Sequence, residues 1–136
     1  MSERISTGGC ACGALRYEAK GEPSAATLCH CDSCRRAAGA PAVAWVTWPA
    51  GDFTWTRGKP AGYRSSPPVS REFCDRCGTP LTYRHDQHGD WVDVTVGSLD
   101  APNATPAVDH TWTADRLEWM ADLGHLPVHR GARSDA

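Results

Sequence analysis

The chain has 136 residues, 40% of them hydrophobic and 22% charged, with a formal net charge of −2 at pH 7. That length and balance fit a single globular domain over residues 1–136 with one modest core. No run of Lys or Arg exceeds pairs such as Arg35–Arg36, which excludes a nucleic-acid footprint, and no window approaches the ~20 apolar residues that span a bilayer.

The start, MSERISTGG, is polar and lacks the apolar stretch of a signal peptide, so a cytoplasmic location with reduced thiols is expected. Residues 1–6 are expected to fray, with the core running from about 9 to 127. Next comes "GGCACG", a close pair, Cys10 and Cys12, followed directly by Gly13. In "ALRYEAKG" Leu15 and Tyr17 alternate with Arg16 and Glu18, the period of a half-buried strand. "CHCDSC" then places Cys29, Cys31 and Cys34 within six positions. Asp32 or Ser33 is the candidate cap of a short helix running through Arg35 to Ala38 and ending at Gly39.

Residues 42–48, "AVAWVTW", predict a buried strand rich in β-branched and aromatic side chains. "DFTWTRG" alternates again through Phe53 and Trp55. "FCDRCG" supplies Cys74 and Cys77 with Gly78 behind them, and "PLTYRH" alternates through Leu81 and Tyr83. "DWVDVTVGSLD" puts Val92, Val94 and Val96 on one face and Asp93 and Thr95 on the other. A second short helix is expected over residues 115–120, and a frayed polar tail over 130–136. Trp45, Trp48, Trp91 and Trp119 are expected in the core, His85 and His88 in solvent. Thirteen glycines and ten prolines leave little room for long helices, so the class is mainly β, antiparallel, with one or two short helices.

Seven cysteines in a reducing compartment point to metal chemistry before disulfides. The first and third groups share a design, because a turn that wraps backbone around a metal needs positive φ just after the second thiolate, and glycine adopts it without a Cβ clash. Two such knuckles make a closed structural Cys₄ zinc site from Cys10, Cys12, Cys74 and Cys77. The 61 residues between Cys12 and Cys74 would make that metal a staple across a long loop. Cys29, Cys31 and Cys34 remain as a set of three, the number of protein ligands in a catalytic zinc site that keeps a fourth position open. Two alternatives compete for this second site, His30 as an added ligand and an iron–sulfur cluster, and the spacing matches neither well. Zinc on three thiolates is a weak activator of water; it suits an incoming thiol, which coordination deprotonates.

The ordered set "GGCACGALRY", "CHCDSCRRAAG", "GKPAGYRSSPPVSREFCDRCGTPL" and "VGSLDAPNATPAVDH" resembles the glutathione-dependent formaldehyde-activating enzyme family. The resemblance implies an Mss4-like β-tent of folded sheets and the same division of cysteines between a structural and a catalytic zinc, two ions per chain. It also implies condensation of formaldehyde with glutathione to S-(hydroxymethyl)glutathione, a carbon–sulfur lyase-type reaction read backwards. Glutathione carries two carboxylates, so Arg35, Arg36, Arg64 and Arg71, which lie next to motif elements, are candidate partners. His110, in the matching "P-x-x-D-H" stretch, is the candidate acid–base group. A non-catalytic zinc-stabilised binding module is the competing class, and the third cysteine group argues against it, since a scaffold needs only the four knuckle cysteines.

Overall fold

A computed structural model describes residues 3–133. Most of the strands have one apolar face to bury. In chain order the strands are β1 (Ile5–Gly9), β2 (Arg16–Lys20), β3 (Ala26–Cys29), β4 (Val43–Pro49), β5 (Phe53–Arg57), β6 (Ala61–Ser66), β7 (Val69–Phe73), β8 (Pro80–His85), β9 (Trp91–Thr95) and β10 (Ala107–Thr111). Of these, β6 and β10 have no buried residue and are held by pairing at the sheet edges. One α-helix, α1 (Asp32–Ala38), follows β3. No helix among the described residues is long and apolar enough to cross a membrane.

The strands make a three-stranded sheet, β1-β2-β5, and a seven-stranded sheet, β10-β3-β4-β9-β8-β7-β6. The main core lies where one face of the large sheet meets the small one. Tyr17, Ala19 and Phe53 from the small sheet pack there against Val46, Trp48, Leu81, Val92 and Val94. Tyr17 stacks on Phe53 at 5.1 Å between ring centroids, and its buried hydroxyl bonds Ser98 Oγ at 2.7 Å. Trp48 Nε1 donates to the Gly21 carbonyl at 3.1 Å, so both large polar-tipped rings are satisfied. β4 is apolar on both faces for a reason. Val46 and Trp48 face this core, while Val43 and Trp45 face a second cluster with Cys29 and Cys34.

Several expectations need correction. The large sheet is mixed, because β10 runs parallel to β3, with His110 beside Leu28 and Thr111 beside Cys29. The N-cap of α1 is Cys31 rather than Asp32 or Ser33, and its sulfur accepts from the Cys34 amide at 3.2 Å. The helix ends as expected at Gly39, with φ +63°. Over 115–120 there is no α-helix. Two 3-10 turns, Thr113–Asp115 and Glu118–Ala121, are separated by Arg116 and Leu117 in extended conformation. Ile5 and Ser6, expected to fray, pair with Lys20 and Ala19. Residues 1, 2 and 134–136 of the expected tails lie outside the described residues. Trp45 and Trp48 are buried, but Trp91 and Trp119 are 52% and 56% exposed, since neither has a second layer over it.

Candidate metal centres

Cys10 and Cys12 sit in the turn that leaves β1, and Cys74 and Cys77 in the turn between β7 and β8. Each turn closes on its glycine. Gly13 N donates to the Cys10 carbonyl at 3.2 Å and Gly78 N to the Cys74 carbonyl at 2.8 Å. Gly13 has φ +80° and Gly78 φ +82°, and a Cβ at either would meet nothing within 4 Å. Backbone conformation alone therefore demands glycine here, as the spacing argument required. Backbone amides turn toward the sulfurs as well, Leu15 N to Cys10 Sγ at 3.2 Å and Arg76 N to Cys74 Sγ at 3.4 Å. Such amides favour thiolate over thiol. Cys77 is pulled down to about 5, first by the Thr79 hydroxyl, 3.3 Å from its sulfur, and then by backbone amides.

The four sulfurs lie within 4.8 Å of one another, with Cys12 Sγ 3.7 Å from both Cys10 Sγ and Cys74 Sγ. A tetrahedron with Zn–S bonds of about 2.3 Å has edges of roughly 3.8 Å. The two contacts of Cys12 are thus already at the length of such an edge.

The second group is built differently. Cys29 ends β3, Cys31 caps α1, and Cys34 lies in the first turn of the helix. Their sulfurs also lie within 4.8 Å of one another, with Cys29 and Cys34 at 3.6 Å, again a tetrahedral edge. That contact pulls the Cys29 thiol down and pushes Cys34 up. Arg71 on β7, only 8% exposed, brings both terminal nitrogens within 3.9 Å of Cys34 Sγ. Its Nε donates to Ser65 Oγ at 3.2 Å, and its guanidinium lies 5.1 Å over the Tyr83 ring. A guanidinium held on three sides offsets thiolate charge without joining the ligand set.

The triple opens into a cleft of about 690 Å³. Its floor is the free face of the large sheet, with Thr27, Trp45, Thr47, Tyr83 and Asp93, and Trp112 and Asp115 also line it. Burial pushes the Asp93 carboxyl up, partly offset by the Thr47 hydroxyl, which donates to Oδ1 at 2.5 Å. A smaller, mostly apolar cavity of about 440 Å³ shares Cys34, Trp45 and Arg71 and runs under α1 beside Ala37 and Ala38.

The sequence candidates separate here. All seven cysteines assemble in the two expected groups. Of the four arginines, Arg71 alone lines the cleft. Arg35 pairs with Asp32 at 3.4 Å, Arg36 is exposed, and Arg64 binds Asp86 and the Pro67 carbonyl. His110 is exposed and does not line the cleft, although its neighbour Thr111 does. Successive strand residues face opposite ways, and His110 Nδ1 meets His30 Nε2 at 2.9 Å. His30 is 1% exposed and stands in neither cysteine group. Burial lowers its pKa, with His110 and Arg116 adding to the effect, so it is a neutral core histidine. Asp93, Thr47 and Tyr83 were not singled out from sequence. The alternation in "DWVDVTV" did put Asp93 on the polar face, and that was the available signal.

The model of the glutathione-dependent formaldehyde-activating enzyme family matches residues 5–115. A crystal structure of a Rhodobacter sphaeroides protein from structural genomics is similar to this chain, with a TM-score of 0.63 and 25% identity, over 77% of this chain and 99% of that one. No curated protein matches significantly.

Proposed function

The chain belongs to the glutathione-dependent formaldehyde-activating enzyme family, and from that premise we propose that it is a zinc-dependent enzyme of carbon–sulfur lyase type. It forms or cleaves the S-hydroxymethyl adduct of a small thiol and formaldehyde, glutathione being the thiol for which the family is named. The observation that supports this is the contrast between the two cysteine groups. Four cysteines are knotted into turns, whereas Cys29, Cys31 and Cys34 border a cleft large enough for a small peptide.

Cys10, Cys12, Cys74 and Cys77 would hold a structural zinc, and Cys29, Cys31 and Cys34 a second. When bound there, zinc lowers the pKa of a thiol docking beside it, so that the nucleophile is present at neutral pH. The rest falls to the chain's own side chains. Arg71 fixes the charge and position of Cys34. Trp45 and Tyr83, 6.1 Å apart in a T-shaped pair, wall the cleft and limit water at the reacting carbon. In the addition the thiol S–H bond breaks, a sulfur–carbon bond forms, the carbonyl π pair moves to oxygen, and that oxygen takes the proton the thiol gave up. Asp93, a carboxyl that burial raises above its ordinary range, lines the cleft and is the side chain placed to take up the thiol proton and pass it to that oxygen; cleavage runs the same path in reverse. His110 acts at a distance, propping His30 and with it the backbone between Cys29 and Cys31.

Exchange NMR with labelled formaldehyde and glutathione measures adduct formation directly. Zinc-loaded protein should accelerate it, and Cys31→Ser should abolish the acceleration while the fold persists. Absence of acceleration with any small thiol would leave a zinc-stabilised binding module as the description.

A further inference from the structure

We propose that the chain forms a two-fold dimer in which the segment after β10 of each protomer packs over the other, with Trp119 in the apolar cavity under α1. Trp112 turns the chain out of β10 at φ +56°, and 3-10 turns follow at Thr113–Asp115, Glu118–Ala121 and Leu123–His125. The hydrogen bonds of these turns run inside the segment. Asp115 N donates to the Trp112 carbonyl at 3.1 Å, Met120 N to Leu117 at 3.0 Å and Leu126 N to Leu123 at 3.1 Å. The ion pair of His125 with Asp122, at 3.4 Å, is local as well. Leu117 and Met120 are half-buried, but every residue from Ala121 to Arg130 is exposed. Trp119, Leu123, Leu126 and Val128 are between 45% and 92% exposed. Apolar surface concentrated in this way on one ordered segment marks an interaction surface.

The complement of this segment lies on the same chain, which is why the partner is a second copy. The cavity under α1, about 440 Å³, is lined mainly by apolar side chains, Ala37, Ala38, Phe73 and Pro80 among them. Tyr63, another lining residue, is 60% exposed, so the cavity opens to the surface. Trp119 does not line the cavity of its own protomer. An indole is a large rigid filling for such a space, and aromatic side chains seated in pockets anchor many interfaces. Charge fits too. Exposed Arg36 precedes Ala37, and exposed Arg76 stands two residues before Gly78, which also lines the cavity. Neither guanidinium has an acidic partner among the described residues, and Glu118, exposed beside Trp119, has no basic one. An arm and its receptor on one chain close a pair with two-fold symmetry, each protomer giving and receiving once. Each side then offers roughly the 20–30 residues of a standard interface. The cavity shares Cys34, Trp45 and Arg71 with the cleft, so the arm of the second copy also closes the back of the three-cysteine centre.

Sedimentation velocity of the full chain tests this. The wild type should run at twice the 14.7 kDa of one chain at about 50 μM, since interfaces of this size bind in the micromolar range or tighter. Trp119→Ala should weaken association about thirtyfold, as loss of an aromatic anchor does, and leave the circular dichroism spectrum unchanged. Charge reversal then locates the contact. Glu118→Arg, and separately Arg36→Glu with Arg76→Glu, should each weaken association at least about tenfold through like charges brought together. Mixing those two variants should restore the dimer, because each reversed arm or receptor then meets its opposite charge, and two misfolded variants could not rescue each other. A wild type that stays monomeric overturns the proposal and leaves the segment to a different partner. A dimer indifferent to Trp119→Ala, or charge variants that stay apart on mixing, overturns this interface.

Discussion

Removing one whole knuckle, Cys74→Ser with Cys77→Ser, separates the structural centre from the rest of the fold. A metal held there would join Cys12 to Cys74 across 61 intervening residues. Opening a loop of that length returns about 4 kcal/mol of chain entropy to the unfolded state in the loop-closure model. At roughly 2.1 cal/mol/K of unfolding entropy per residue, this is a fall of about 15 °C in Tm. Little else ties the two turns together directly. Apart from contacts of the cysteine sulfurs themselves, Ala11 N donates to Thr79 Oγ1 at 3.1 Å, a bond worth about 1 kcal/mol. Cys31→Ser is the control. Its triple spans six residues, so no long loop opens, and serine keeps the N-cap that the Cys31 sulfur provides. That variant should lose at most about 2 kcal/mol, the closure value for so short a loop. Thermal melts by circular dichroism, with zinc counted by elemental analysis, make the comparison. If the knuckle variant kept its zinc stoichiometry, or melted with Cys31→Ser, the division into structural and open centres would be wrong.

Gly13→Ala and Gly78→Ala should each cost about 1–2 kcal/mol by denaturant titration, the price of a left-handed Cβ in open space. Gly58→Ala should cost more, because φ is +74° and the new Cβ would lie 2.3 Å from the Ala14 carbonyl oxygen. Asp93→Asn should stabilise the protein at neutral pH and halt adduct formation. The folded carboxyl is raised above its ordinary 3.8, so its burial weakens the fold only where the unfolded group ionises, and the gain should vanish below that pH. Asp100 behaves oppositely. Arg16, then Thr7, hold it down to about 2, so its contribution is full above 3.8 and is lost as pH falls toward about 2; pH-dependent melts of Asp100→Asn should lack that acid-side loss. Arg71→Lys should slow adduct formation about tenfold with little change in Tm, since lysine keeps the charge but loses the fork that reaches Cys34 and Ser65 together.

What the sequence determined by itself was local. A cysteine pair with glycine behind it specifies a knuckle, because ligand spacing and positive φ are properties of a few consecutive residues. Alternation specifies that Tyr17, Phe53, Val92 and Val94 turn inward, because pleating fixes the two faces of any strand. The capped helix after Cys31 follows from the same short range, with only its cap misplaced by one residue. Tertiary structure decided whatever depended on which face a second layer covers. It buried Trp45 and Trp48 but left Trp91 and Trp119 in solvent. It laid β10 parallel to β3, which turned His110 toward His30 and Thr111 toward the cleft. It chose Arg71 from four arginines, because β7 alone carries one across the sheet to Cys34. Asp93 faces the cleft rather than bulk water for the same reason: its strand lies centrally in a seven-stranded sheet, and only long-range pairing sets a strand's place in a sheet.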